Sequence, residues 1–329
     1  MTTLFLDRRD ALIDSEARTL LVRTPDGDLT RLPLAHVERV VLRAPARLTT
    51  AAIAAIAEAD AGLLVLSGRR SEPVATILGR PHADAAIRLG QMRLALDPVS
   101  RLAVARVIVR RKLLAQARTL SAALARRPDR RLPLSRGLAA LRDTLATLRL
   151  RPPPDAATLS GLEGAAAAAH FAALAALFPP SLAFSGRNRR PPRDPVNAVL
   201  SLAYTLAHAE AVREAQLAGL DPAIGFLHAL APGRASLACD LVEPMRGPID
   251  HFVWRLFAEE TLRKPHFTRD GEAVLLGKAG RLAFYTAWEA AAAPLRRALR
   301  RGLRPLVAAC RQAAADLPWE KGDAAEPAS

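Results

Sequence analysis

The feature that most constrains this sequence is a change of hydrophobic period near residue 84. Before it, apolar residues come in short runs: TLFLD, TLLVR, VERVVL and GLLVL. Charged or glycine-containing turns such as Pro25-Asp26-Gly27-Asp28 separate them, which is the pattern of strands. After it, apolar residues recur every three or four positions with arginine between them, in ADAAIRLGQMRLAL and then PVSRLAVARVIVRRKLLAQARTLSAALARR. That spacing lays one apolar stripe along a helix. The two periods predict an α+β chain: a small N-terminal β-rich domain over residues 1–83, a larger all-helical domain over 84–317, and a disordered tail over 318–329.

Capping and breaking residues mark further boundaries. LTTAAIAAIAEAD reads as one helix among the strands, with a threonine as N-cap. Pro98 suits the first turn of a helix. ARRPDRRLPL reads as a loop before the helix SRGLAALRDTLATLRL, which the prolines of RPPPD at 151–155 stop. The next helix, ATLSGLEGAAAAAHFAALAALF, closes at Pro179-Pro180. Its apolar stretch, Gly164 to Phe178, is shorter than the ~18 residues a membrane span needs, so no membrane association is expected. Asp194 caps another helix, Pro195 takes its first position, and Gly219 ends it. Pro244 and Pro248 make ASLACDLVEPMRGPIDHFVWRLFAEETL one kinked helix or two. The segment from Val274 to Leu317 reads as mostly helix. The start of the sequence lacks the pattern of a secretion signal, and Cys239 and Cys310 form no CxxC motif. A cytoplasmic protein is expected.

Charge narrows the class of partner. Lysine and arginine number 47 against 32 acidic residues, a net charge of +15, and most of the basic residues are arginine. The guanidinium fork matches phosphate oxygens, so a polyanion is expected and nucleic acid is the commonest one. A compositional bias towards arginine would give the same count. The densest basic cluster is SGRNRRPPRDP, with Arg187, Arg189, Arg190 and Arg193. Arg296, Arg297, Arg300 and Arg301 stripe a late helix, either as a DNA-binding face or as a solvated one.

No HExxH, GxGxxG or GxSxG motif occurs, and GEAVLLGK lacks the spacing of a phosphate-binding loop. Chemistry must therefore come from residues spread along the chain. Glu163 opens an otherwise apolar helix, where a carboxylate needs a partner, a cation or solvent. It could equally serve as favourable charge at the helix start. His228 ends an apolar run before Pro232-Gly233. Asp240 and Glu243 are three apart, hence on one helical face. Together these make a hard oxygen and nitrogen donor set suited to Mg²⁺ or Mn²⁺ rather than to structural zinc. On spacing alone, a capped helix with surface acids and a core histidine fits as well.

The ordered pieces resemble the CRISPR-associated protein 1 family, the integrase that inserts new spacers into CRISPR arrays. Gly225-Phe226-Leu227-His228, then Ser236-Leu237, then Asp240-Leu241-Val242-Glu243 are similar to the family signature. Upstream, GLEG resembles the family's first metal-ligand helix at Glu163, and FSGRNRRPPRDPVNAVLSLAYTL its arginine-rich loop followed by Asp194-Pro195-Val196-Asn197. Downstream, Gly280-Arg281 resembles a further element, and Met245 departs from a usual aromatic. The matches run in the family's order from residue 160 to about 290.

The resemblance implies a metal-dependent DNA endonuclease and integrase with Glu163, His228, Asp240 and Glu243 as catalytic residues. Glu163, His228 and Glu243 would hold Mg²⁺ or Mn²⁺. Asp240 could be a ligand, a carboxylate orienting His228, or a DNA-end contact. Arg187, Arg189, Arg190, Arg193 and Arg281 would meet double-stranded and branched DNA. Tyr204, near the motif, is expected to be a packed residue rather than a nucleophile. Implied partners are a second copy, joined through the β-rich domain with TLFLD as either the seam or an interior strand of the sheet, and CRISPR-associated protein 2 in a heterohexamer. Two other readings are a non-catalytic basic DNA-binding scaffold and a hydrolase of small phosphoesters, the second leaving the charge unexplained.

Overall fold

A computed structural model describes residues 2–67, 73–77, 84–188, 191–315 and 317. Arg189, Arg190 and the expected tail 318–329 lie outside them.

The N-terminal part holds two four-stranded sheets. Strands β1 (Thr2–Leu6), β5 (Val37–Leu42), β7 (Gly62–Leu66) and β8 (Pro73–Ile77) form one in the order β1-β5-β7-β8, parallel except for β8. Strands β2 (Ala11–Glu16), β3 (Thr19–Arg23), β4 (Leu29–Pro33) and β6 (Ala46–Leu48) form the other in the order β4-β3-β2-β6. Helix α1 (Thr50–Glu58) links them, and the Thr49 side chain accepts from Ala52 N–H at 3.1 Å as the expected cap. The four anticipated runs are β1, β3, β5 and β7. The other four strands gave no such signal: β4 and β8 are exposed along most of their length, and β6 has three residues. The β2–β3 hairpin turns on Ala17-Arg18, both at positive φ (46° and 60°), without the glycine or asparagine that usually announces this turn.

Helices fill the rest: α2 (Ala85–Leu96), α3 (Pro98–Arg126), α4 (Arg131–Leu150), α5 (Ala156–Ala175), α6 (Pro195–Leu217), α7 (Ser236–Val242), α8 (Arg246–Ala258) and α9 (Lys278–Ala315). Asp97, Asp155 and Asp194 cap α3, α5 and α6 through their side chains. Helix α4 begins at Arg131, inside the stretch expected to be a loop, because Pro133 in a first turn has no intrahelical N–H to lose. Pro244 splits the expected kinked helix into α7, one 3₁₀ turn over Glu243–Met245, and α8. A short antiparallel hairpin, β9 (Phe267–Asp270) and β10 (Ala273–Leu276), precedes α9.

One apolar core lies between the two sheets and α1 and holds Ile13, Leu20, Val40 and Ile56. The main core runs through the helices and takes in Val41, Leu64 and Leu66 from the first sheet. That sheet is thus covered on both faces, and every residue of β5 is buried. Two of them, Glu38 and Arg39, are charged. Arg39 forks onto Glu210 of α6, and Glu38 meets Arg296 at 3.3 Å and Arg300 at 2.6 Å on α9. Arg296 also reaches Glu210 at 3.2 Å and Glu289 at 3.0 Å, while Arg300 and Arg213 meet Glu214 at 2.9 and 3.1 Å. Arg296 is therefore neither a DNA face nor a solvated one; Arg300 is tied to the same glutamates but stays half-exposed, and Arg297 and Arg301 are exposed. Two buried glutamates on α6 and one on β5 draw this side of α9 inward. Burial alone would raise the Glu38 carboxyl, but Arg296 and Arg300 outweigh it and hold it low.

Candidate metal centre

Glycine sets the local backbone. A Cβ on Gly225 would lie 2.8 Å from Ser236 atoms and 2.9 Å from the His228 carbonyl, so only glycine lets the 225–228 segment fold flat on the start of α7. Phe226 and Leu237 anchor that fold in a small apolar cluster with Ile87, Leu303 and Cys310.

Asp240, fully buried on α7, holds this segment by its backbone. Its Oδ2 accepts from Phe226 N–H at 2.6 Å and Leu227 N–H at 3.0 Å, and its Oδ1 from His228 N–H at 2.9 Å. The same Oδ1 lies 2.7 Å from His228 Nδ1. A carboxylate there fixes the tautomer: Nδ1 carries the proton and donates, leaving the Nε2 lone pair facing away from Asp240. Of the three roles open for Asp240, this geometry is that of the orienting carboxylate.

Nε2 looks towards Glu243, whose Oε1 is 4.0 Å away. Glu243 sits at the break that Pro244 makes between α7 and α8, with only 4 % of its side chain exposed. Arg246, one turn on, forks onto it with Nε–Oε2 2.8 Å and Nη2–Oε1 2.7 Å. Lys112 of α3 approaches from the other side, with Nζ 2.5 Å from Glu243 Oε2, and also meets Glu163 Oε1. Burial pushes the Glu243 carboxyl up, but Arg246 and Lys112 overcome it and bring it down to about 2. It is a carboxylate at any working pH. On Arg246, burial opposes charge and the Glu243 carboxylate more than offsets it, so the guanidinium is held above its ordinary value. Gly247 makes this approach possible, since a Cβ there would meet the Ala115 carbonyl of α3 at 2.6 Å.

Glu163 of α5 and Glu243 of the 3₁₀ turn thus meet through Lys112, and His228 of the connector faces Glu243. Among the described residues, no three carboxylate, imidazole or thiol groups lie close enough to grip an ion as they stand. Lys112 lies between the two glutamates. The donor types still fit a hard divalent ion: two carboxylates, one of them buried and fixed in charge, and an imidazole with a directed lone pair.

Behind the site, Arg246 lies over the Tyr204 ring at 4.9 Å, and the Tyr204 hydroxyl donates to Asp250. Asp250 also meets His170 Nε2 at 2.8 Å. Burial, then the Asp250 charge, raises the Tyr204 phenol well above its usual range, so it stays protonated and structural. Sequence reading missed Lys112 and Arg246. Arg246 was available as the i+3 partner of Glu243; Lys112, one of four lysines among 47 basic residues, sits in an arginine-rich helix and gave no signal.

The arginines expected on DNA are placed differently from one another. Arg187 meets Asn197 Oδ1 at 2.8 Å and Ser201 Oγ at 3.0 Å, and lies 5.5 Å over the Tyr204 ring. Asn197, fully buried, also takes Asn188 N–H at 3.0 Å and donates to Gly186 O at 2.8 Å, so the Asp194–Asn197 piece clamps the preceding loop. Arg193 is exposed beside Glu272 at 3.1 Å. Arg281 is tied to Asp7 at 2.7 Å and to the Leu276 carbonyl at 2.7 Å.

The family model described as CRISPR associated protein Cas1 matches residues 4–290. The chain belongs to the Cas1 family. A curated relative, the CRISPR-associated endonuclease Cas1 1 of Thermodesulfovibrio yellowstonii, is 36% identical over 298 residues, covering 88% of this chain and 91% of its own. Two solved structures share the fold at low identity. A casposase bound to integration product superposes with TM-score 0.80 at 20% identity, covering 94% of this chain and 91% of that one. A Cas6-RT-Cas1–Cas2 complex gives 0.77 at 21%, covering 98% and 36%. In this Cas1-family chain, Glu163, His228, Asp240 and Glu243 all fall inside the matched span.

Proposed function

We propose that this Cas1-family chain is a divalent-metal-dependent DNA endonuclease and integrase of CRISPR adaptation, with Mg²⁺ or Mn²⁺ held by Glu163, His228 and Glu243. One observation carries the reading: Asp240 anchors three successive backbone N–H groups and His228 Nδ1, which leaves Nε2 directed towards the buried carboxylate of Glu243. A scaffold that only bound DNA would have no use for such an arrangement.

In strand transfer a 3′ hydroxyl oxygen attacks a phosphorus, and the bond from that phosphorus to the leaving 3′ oxygen breaks. The hydroxyl proton is lost to solvent or base, the leaving oxygen regains one, and the number of phosphodiester bonds is unchanged. When bound, the metal would polarise the phosphoryl oxygen and stabilise the leaving oxygen. The protein supplies position and charge. Asp240 keeps the His228 ring in one tautomer and orientation, and Arg246 pins Glu243 from behind.

Double-stranded and branched DNA are the expected substrates. The exposed Arg193, with Arg189 and Arg190 beside it in sequence, is the first candidate for phosphate contact. Arg187 and Arg281, already engaged within the protein, would act by shaping the loop and the hairpin edge. A second copy and CRISPR-associated protein 2 are the proposed partners, supported by family membership and by the fold shared with the Cas1–Cas2-containing complex. Within the described residues, no helix is long and apolar enough to cross a membrane.

The test is strand transfer on branched DNA with Mn²⁺ or Mg²⁺, comparing the intact protein with His228→Ala and Glu163→Ala. Metal-dependent joining that both folded variants lose is the expected result. Intact protein that binds DNA but neither cuts nor joins it, with the partner protein supplied, would leave the scaffold reading in its place.

A further inference from the structure

Lys112 stands between two of the three proposed ligands, Glu163 and Glu243, and resting on the metal reading above, it raises a question of charge. Glu163 and Glu243 face two cations, Lys112 and Arg246. Asp240 is turned to the backbone N–H groups of the His228 segment, and the two glutamates are paired with the two cations. A divalent ion entering beside both would overcharge a site whose Lys112 and Glu243 side chains are only 5 % and 4 % exposed. Lys112 Nζ already lies against both glutamates, so an ion that takes both as ligands displaces a cation.

Arg246 is poorly placed to move. It grips both oxygens of Glu243 and packs on the Tyr204 ring. Lys112 has a flexible four-carbon stem and a compact head. One turn further along α3, at i+4 and hence on the same face, lies Gln116. Gln116 is fully buried, and among the described residues neither its Oε1 nor its Nε2 has a hydrogen-bond partner. A buried amide without partners is costly and rare. Its oxygen is an acceptor within the sweep of a lysine one turn away.

We propose that Lys112 is a tethered cation that occupies the metal position in the metal-free protein and swings to Gln116 when the divalent ion binds. In the first position it keeps the part-exposed Glu163 and the buried Glu243 together without metal. In the second it fills the unmet hydrogen bond of Gln116. Lys112 and Gln116 are thus positioning residues that set the affinity and the exchange of the metal.

The experiment is Mn²⁺ binding by calorimetry to the full chain, with thermal melts in parallel, for the wild type, Lys112→Met, Gln116→Met, the double variant and Glu163→Gln. Lys112→Met removes the competitor and keeps the volume, so Mn²⁺ should bind about tenfold tighter or more while the metal-free protein melts earlier. Gln116→Met removes the second resting place, so Mn²⁺ should bind several-fold more weakly. That loss should vanish in the double variant. Lys112→Gln gives the same comparison with a polar head if the methionine variant does not fold. If the wild type binds Mn²⁺ and loss of Lys112 leaves affinity unchanged or weaker, the tethered-cation role is overturned and the metal site stands. If the wild type binds no more Mn²⁺ than Glu163→Gln, and Lys112→Met does no better, the metal site falls and the role of Lys112 falls with it.

Discussion

Replacing Asp240 with asparagine isolates what that carboxylate does for His228. The side chain keeps its shape, but one acceptor oxygen becomes a donor. The amide can settle in either of two ways. With its oxygen at the Oδ2 place, the bonds from Phe226 N–H and Leu227 N–H survive, and the NH₂ group faces His228 N–H and Nδ1. One buried backbone donor is then unmet, at a cost of about 1–3 kcal/mol. With the oxygen at the Oδ1 place, two backbone donors face the NH₂ group and the cost is roughly double. The first arrangement wins. It also obliges Nδ1 to accept, which moves the ring proton to Nε2 and removes the lone pair aimed towards Glu243. We expect Asp240→Asn to fold with a loss of about 1–3 kcal/mol in denaturant melts. Its Mn²⁺ affinity should fall about 10–100-fold. Nitrogen NMR of the histidine ring should show the proton on Nε2, a change that loosened packing alone would not bring. A folded variant that binds Mn²⁺ as tightly as the wild type, with the proton still on Nδ1, would refute this account of Asp240.

Two more predictions concern stability. Glu210→Ala strips the forked carboxylate from Arg39, whose side chain is 6 % exposed, and one of three carboxylates from Arg296, and should cost about 3–5 kcal/mol in urea or thermal unfolding. Glu210→Gln, which keeps an acceptor, should cost less. Replacing Ala17-Arg18 with Asn-Gly puts residues that tolerate positive φ at the β2–β3 turn, and should raise stability by about 1–2 kcal/mol, read as a higher melting temperature.

How much could be read from the sequence depended on whether a residue's role was local. Strand β5 announces itself because all six of its residues are buried in a mostly apolar run; β4 and β8, exposed along most of their length, do not. The hairpin β9–β10 was available in Asp270-Gly271, a turn signal with Gly271 at φ 60°, but its four-residue strands are too short to show a period. At the site, His228, Asp240 and Glu243 were found by resemblance over a short span, and Glu163 by a separate piece of the same resemblance. Spacing could not show that Asp240 suspends the His228 segment, because those hydrogen bonds run to backbone and leave no pattern in residue types. Lys112, 51 positions from Glu163 in sequence, meets it only after α3 and α5 pack. Arg296 and Arg300 misled for the same reason. Their periodic spacing is that of a polar face, and only the fold reveals glutamates opposite them.

That glutamate-lined contact has a mechanical consequence. Apolar surfaces can slide past each other by small steps at little cost. A joint of buried ion pairs between β5, α6 and α9 favours one register, since a slip would leave a guanidinium or a carboxylate stranded. These pairs hold the β-rich end against the helices along this seam. An assembly built through the β-rich end would inherit a fixed bearing for each reactive centre, and the interval between two cuts in DNA would be set by the rigidity of the single chain.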